Sequence, residues 1–164
     1  MTTNERFTAA LSRLVAALKS PGQPETLFRA LQHETGELVG HKLFSLLRVT
    51  GNGRILARTY TSNPQAYPVG GTKEMGPTPW GTHVIEKQQP YLGRHSADIR
   101  WAFFDHELIA SLGCASVINI PVRYDGRTVG VVNLLHQENW YRDEHIPLLD
   151  VLCALLVPAF LEQP

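Results

Sequence analysis

At 164 residues, 43% of them apolar, the chain is long enough to bury one core without disulfides or metal as props. Lys plus Arg and Asp plus Glu both count 15. No basic excess therefore drives counterion release from a nucleic acid or attraction to an anionic membrane, and neither is expected as a partner. The N-terminal MTTNERFTAAL lacks a signal-peptide core, and the apolar stretches are interrupted short of the roughly 20 residues of a bilayer span. Cys114 and Cys153 form no CxxC pair, so a cytoplasmic protein with two buried thiols is expected.

Residues 4–18 repeat Phe7, Leu11, Leu14, Val15 and Leu18 at helical spacing, and Ser20-Pro21-Gly22 ends the run. A second helix over 24–39 carries Leu27, Leu31 and Leu38 and stops at Gly40. Residues 43–50 and 55–62 read as strands joined by the tight turn Gly51-Asn52-Gly53. Residues 63–79 are too rich in Pro and Gly for a helix interior or central strand and predict an ordered, functional loop. Thr78 can cap a helix over 78–89 with Pro79 in its first turn, and Pro90 ends it. A short strand at 91–93 precedes a helix from Ser96 to about Leu112, closed by Gly113. Residues 115–124 and 128–136 flank Asp125-Gly126 and form the clearest hairpin, being dense in β-branched residues. A last helix over 143–162 has an apolar stripe (Ile146, Leu149, Leu152, Cys153, Leu156, Phe160), with Pro158 kinking its end. The order predicts one α+β domain over 1–164: helices in 1–40, sheet and pocket elements in 43–136, and a final helix in 143–162.

The run Ser116-Val117-Ile118-Asn119-Ile120-Pro121-Val122, the turn Tyr124-Asp125-Gly126-Arg127 and Val129-Gly130-Val131-Val132-Asn133-Leu134 resemble the hairpin signature of GAF domains. The flanking helices fall where that family places them. The resemblance implies a profilin-like central antiparallel sheet of five or six strands. Terminal helices cover one face, and mid-chain helices and loops close a small-molecule pocket on the other. It also implies a regulatory or sensing role in signal transduction. The short chain leaves no room for an output domain, so action alone or through contacts with another chain is expected.

Several residues are candidates for that pocket. In DIRWAFFDHELIASL, helical spacing sets Asp98, Trp101 and Asp105 on one face, with Phe103 and Phe104 beside them. An aromatic among carboxylates suits a cationic or hydrogen-bonding heterocycle, although a core helix with solvated acids has the same pattern. Trp80 lies at a helix start where free N–H groups can meet an anion, or it anchors the loop. Tyr60, Ser62 and Tyr67 offer hydroxyls. Asn119 and Asn133 interrupt apolar strands and need partners. A three-residue loop at 125–127 sets them opposite each other; a two-residue loop does not.

Three readings follow: a small-molecule sensing domain, a small enzyme using Asp98, Asp105 and His106 in acid–base chemistry on a heterocycle or amide, or a dimeric interaction protein with a vestigial pocket. The resemblance extends to free methionine-(R)-sulfoxide reductases, which need paired cysteines and hairpin acids. Val117, Asn133 and Leu135 stand where those acids would be, and neither cysteine is placed to match, so that activity is not expected. No metal or cofactor is expected either. His95, Asp98, Asp105, His106 and His136 lack metal-ligand spacing, and non-covalent haem on His106 or His136 is the disfavoured exception. The resemblance also implies a homodimer through the terminal helices, so that Leu11→Glu with Leu149→Glu should give a soluble monomer.

Overall fold

The computed structural model describes residues 1–162, so the last two residues of the expected 1–164 domain lie outside the described residues. Two helices, α1 (Thr3–Lys19) and α2 (Glu25–Leu38), precede the hairpin β1 (Leu43–Thr50) and β2 (Ile55–Thr61). The middle of the chain holds β3 (Thr72–Glu74), α3 (Pro79–Gly81), β4 (Tyr91–Gly93), α4 (Ser96–Ala102) and α5 (His106–Ser111). The second hairpin, β5 (Ser116–Tyr124) and β6 (Arg127–His136), leads into α6 (His145–Cys153) and α7 (Val157–Glu162). The six strands form one antiparallel sheet in the order β3-β2-β1-β6-β5-β4.

Because successive strand residues point to opposite faces, alternation divides the sheet in two. Phe44 and Leu46, Ile118 and Ile120, and Val132 and Leu134 meet Leu14 of α1, Phe28 and Leu31 of α2, and Leu149 and Leu152 of α6. Burying each such side chain contributes about 1.5–3 kcal/mol. On the opposite face Leu43, Val117 and Leu135 pack against Ile99 and Ile109, while Leu56 and Val131 pack against Trp80, Val84 and Ile85.

Several elements depart from the sequence reading. The expected loop contributes β3, which pairs with β2 through Ile55, Leu56 and Ala57. Thr78 does cap α3, its Oγ1 accepting the Gly81 N–H at 3.0 Å, but the helix is one α turn that widens into a π turn over Thr82–Glu86. The helix expected through Leu112 breaks after Ala102, where Phe103 is extended at φ −133° and ψ 131°. In the last helix the turn Ala154–Leu156 tightens to a 3-10 turn. Pro158 has no N–H for the Ala154 carbonyl, which accepts from Val157 instead.

Leu149 is fully buried in the core, so Leu149→Glu would disrupt folding and cannot report on a dimer surface. The segment His145–Glu162 is also longer and more apolar than the sequence reading allowed. With a mean hydropathy of 1.7 it is long and apolar enough to cross a membrane by composition alone. Its Leu149, Leu152, Cys153, Leu156 and Phe160 are nonetheless buried against the sheet and the N-terminal helices.

Candidate functional site

Between the sheet and the α3–α5 layer lies a cavity of about 670 Å³, within the range of small-molecule sites. A second, wider cleft of about 1010 Å³ runs along the Gly51-Asn52-Gly53 turn and Gly76-Pro77, and is built largely of turn and loop residues. The first has the more organised lining. Its floor is the inward face of β1, β5 and β6, and its walls include Trp80, Trp101, Phe103 and Phe104.

Four polar side chains are bonded in series across the floor. Trp80 Nε1–H donates to Asn119 Oδ1 at 3.0 Å, Asn119 Nδ2 to Asn133 Oδ1 at 2.6 Å, and Asn133 Nδ2 to Ser45 Oγ at 3.1 Å. Each asparagine amide spends one of its two protons in this ladder, and the Ser45 hydroxyl serves as acceptor, so donors remain for a guest. The ladder depends on register. Asp125 and Gly126, at φ 52° and 71°, make a two-residue turn in which Tyr124 faces Arg127. That turn alone would set the asparagines out of step. A bulge follows: Arg123 pairs with Thr128 but Val122 with Gly130, and the extra residue, Val129, brings Asn119 opposite Asn133.

The break after Ala102 shapes the wall. Extended backbone sends consecutive side chains to opposite sides. Phe103 turns toward Trp80, with ring centroids 5.7 Å apart, whereas Phe104 turns outward, 79% exposed, with Lys73 Nζ 4.6 Å from its ring. Trp101 stacks on Tyr91 at 5.2 Å. Burial, with Asp98 adding to it, pushes the Tyr91 hydroxyl up to about 12.

At the far wall Asp105 Oδ2 accepts the Tyr67 hydroxyl at 2.6 Å. Burial and that bond raise the Tyr67 pKa, holding the phenol protonated. Arg58 lies over the Tyr67 ring, 4.7 Å from its centroid. Burial lowers the Arg58 pKa against the opposing pull of Tyr67 and Asp105, but a guanidinium remains cationic at neutral pH. Its Nε is buried without a hydrogen-bond partner.

Of the residues singled out in the sequence, Trp80, Trp101, Phe104, Asp105, Asn119 and Asn133 line this cavity. Tyr60 and Ser62 do not. A bulge in β2 pairs Leu46 with Tyr60 but Leu47 with Arg58, so Tyr60 turns to the helix side between Phe28 and Phe44. There its hydroxyl donates to Gln32. Ser62 Oγ accepts the Phe44 N–H at 2.9 Å. Asp98 is likewise displaced: its carboxylate accepts the backbone N–H groups of Arg94 and His95 at the start of α4. With the helix broken, Asp98, Trp101 and Asp105 no longer share one face, and Asp98 and His106 do not line the cavity beside Asp105.

Arg58 and Ser45 were missed. The signal for both was their inward phase in strands whose other inward members, Leu43, Leu47 and Leu56, are apolar.

Among the described residues, no three His, Cys, Asp or Glu side chains gather to hold a metal ion. His95 faces Glu138 at 3.4 Å, and His136 stacks on Trp140 at 3.7 Å, off the cavity. Cys114 and Cys153 are buried free thiols, and burial raises both pKa values.

The family profile described as GAF domain matches residues 23–160. The chain belongs to the GAF domain family. This GAF domain is similar in structure to one from an Acinetobacter phosphoenolpyruvate-protein phosphotransferase, at 14% identity and TM-score 0.75, with 98% of this chain and 95% of that one covered. It is also similar to the GAF domain of a phosphoenolpyruvate-protein phosphotransferase from Coxiella burnetii, at 14% identity and TM-score 0.77 over 96% and 94% of the two chains. A third likeness is to the GAF domain of a two-component sensor histidine kinase from Bacillus halodurans, at 16% identity and TM-score 0.69 over 84% and 93%. At such identities the likeness carries the fold, a common small-molecule binding and signalling architecture. No curated protein matches the sequence.

Proposed function

We propose that this GAF domain binds and senses a small molecule in the cavity between its sheet and α3–α5. The observation that carries this reading is the floor ladder Trp80–Asn119–Asn133–Ser45, whose side chains are buried yet border a space of about 670 Å³. Buried amides in a purely structural role would sit in packed surroundings. Here they keep spare donors beside aromatic walls, which suits orientation of a guest. The separation of Asp98 from Asp105 removes the main support for an acid–base enzyme.

Native mass spectrometry of fresh protein beside a denatured control, then a thermal-shift screen of metabolites, tests the reading. A discrete mass lost on denaturation, or a compound that raises Tm and is recovered unchanged, supports it. Consumption of the compound would favour an enzyme, and an empty screen an interaction protein.

Self-association is proposed through the terminal helices, on the outer faces of α6 and α7, where Val151 and Leu161 are exposed at 48% and 41%. Val151→Asp with Leu161→Asp should then lower the sedimentation coefficient to that of a monomer with the fold intact. An unchanged coefficient would sink the dimer.

A further inference from the structure

We propose that the cavity's ligand is a small organic carboxylate with an apolar body, and that Arg58 is the residue that selects it. The inference rests on the binding reading above and deepens it.

Arg58 has no close counter-ion, and the Asp105 carboxylate acts on it only at longer range. Among the described residues it enters no ion pair. Its Nη1 reaches the Pro68 carbonyl only at 3.5 Å, the outer limit of a bond. Asp105, the one acid on the cavity wall, already accepts the Tyr67 hydroxyl. The Tyr67 ring lies against the guanidinium, its centroid 4.7 Å from Arg58 Cζ. The Arg58 Nε is withdrawn from the accessible surface, so a guest meets the guanidinium through its Nη groups, and the matching partner for such an edge is a carboxylate, which takes two N–H groups together.

The rest of the lining narrows the class. Two further cations, Lys73 and Arg100, line the cavity, so anions are attracted to it. The floor beyond Arg58 is a neutral ladder, and the walls are Trp80, Trp101 and Phe103. A monoanion with a flat or branched hydrocarbon part uses both ends of the site.

The test uses matched acids, amides and amines: phenylacetate, phenylacetamide and phenethylamine, with indole-3-acetate, indole-3-acetamide and tryptamine. Affinities come from ligand-observed NMR on wild type, Arg58→Gln and Arg58→Lys. The wild-type acids should bind at least tenfold tighter than their amides and shift the Arg58 Nε–Hε resonance. Arg58→Gln should erase that preference, and Arg58→Lys should keep part of it, with melting still cooperative. The Nε–Hε shift decides the matter in wild type if Arg58→Gln does not fold. Amides or amines that bind as tightly as acids, or acid binding indifferent to Arg58→Gln, overturn the inference and leave the binding site standing. If none of the six binds while the metabolite screen yields a ligand, the carboxylate assignment falls alone. If both are empty, both readings fall.

Discussion

On the helix side of the sheet Phe44, Leu46, Ile118, Ile120, Val132 and Leu134 are fully buried against α1, α2 and α6. On the other side Ser45, Leu47, Asn119 and Asn133, drawn from the same strands, border an unfilled cavity together with Arg58 of β2. Each strand serves both sides through alternate residues, so propensity does not separate them. What differs is the covering layer: long helices with continuous apolar stripes on one side, and on the other short helices interrupted at Phe103–Asp105 and widened at Thr82–Glu86. A long stripe can match the sheet row by row, whereas a broken layer leaves space.

The sharpest way to break this contrast is the same truncation on both faces. Leu149→Ala should cost about 2–5 kcal/mol, since a fully buried leucine is lost and a close-packed site relaxes only in part. Leu47→Ala, beside existing space, should cost under about 1 kcal/mol. Urea melts of the two variants give the comparison, and equal losses would mean that the cavity is packed in solution. Leu149→Glu should go further and abolish cooperative unfolding, because a buried unpaired charge is added to the lost packing.

Gly130 probes the filled side from the opposite direction. An added Cβ there would lie 2.4 Å from Phe160 Cε2. Gly130→Ala should destabilise by about 1–3 kcal/mol through overpacking, and Phe160→Leu in the same chain should recover part of the loss. A neutral Gly130→Ala would show that α7 is free to move away from the sheet.

The layers were legible in the sequence because they rest on period: stripes at three and four for α1, α2 and α6, and alternation bounded by turn residues for the hairpins. The site was legible only where it did not depend on register or continuity. Trp80 and Asn119 needed neither turn geometry nor a neighbour's phase to be noticed as polar groups seeking partners. The bulge that swings Tyr60 away from Arg58 has no glycine or proline at Thr59 to announce it, whereas the one that brings Asn133 opposite Asn119 adjoins Gly130, a strand glycine whose signal went unread. No breaker residue marks the end of α4. Outside the helix the Phe103 ring packs against Trp80, a contact between residues far apart in the chain.

On the cavity side, a change of intermediate size follows from the ladder. Asn119→Leu removes the acceptor for Trp80 Nε1–H and the donor to Asn133 Oδ1, leaving two buried groups unpaired. A loss of about 1–3 kcal/mol is expected, together with weaker binding of any ligand the domain holds. A variant as stable as wild type would mean that water already satisfies the floor, and the ladder would then say little about ligand orientation.

The smallest effect separates the two faces by pH. His41, His136 and His145 all have pKa values lowered below the ordinary 6.5, with burial the leading cause in each. Lys42 and His41 add to the lowering at His136, and Arg142 adds to it at His145. His136 Nδ1 accepts the Gln137 N–H at 2.8 Å and His145 Nδ1 accepts the Arg142 N–H at 3.1 Å, bonds that protonation at Nδ1 would remove. A group whose folded pKa is depressed binds more protons when unfolded, so its contribution is fully present above 6.5 and is lost as pH falls through the lower folded values. Tm should therefore decline by a few degrees between pH 7 and pH 5, and His41→Asn with His145→Asn should flatten the slope. None of the three histidines lines the cavity. Ligand affinity over the upper part of that range should stay level while stability falls. A parallel decline in both would mean that the filled face and the cavity respond as one unit.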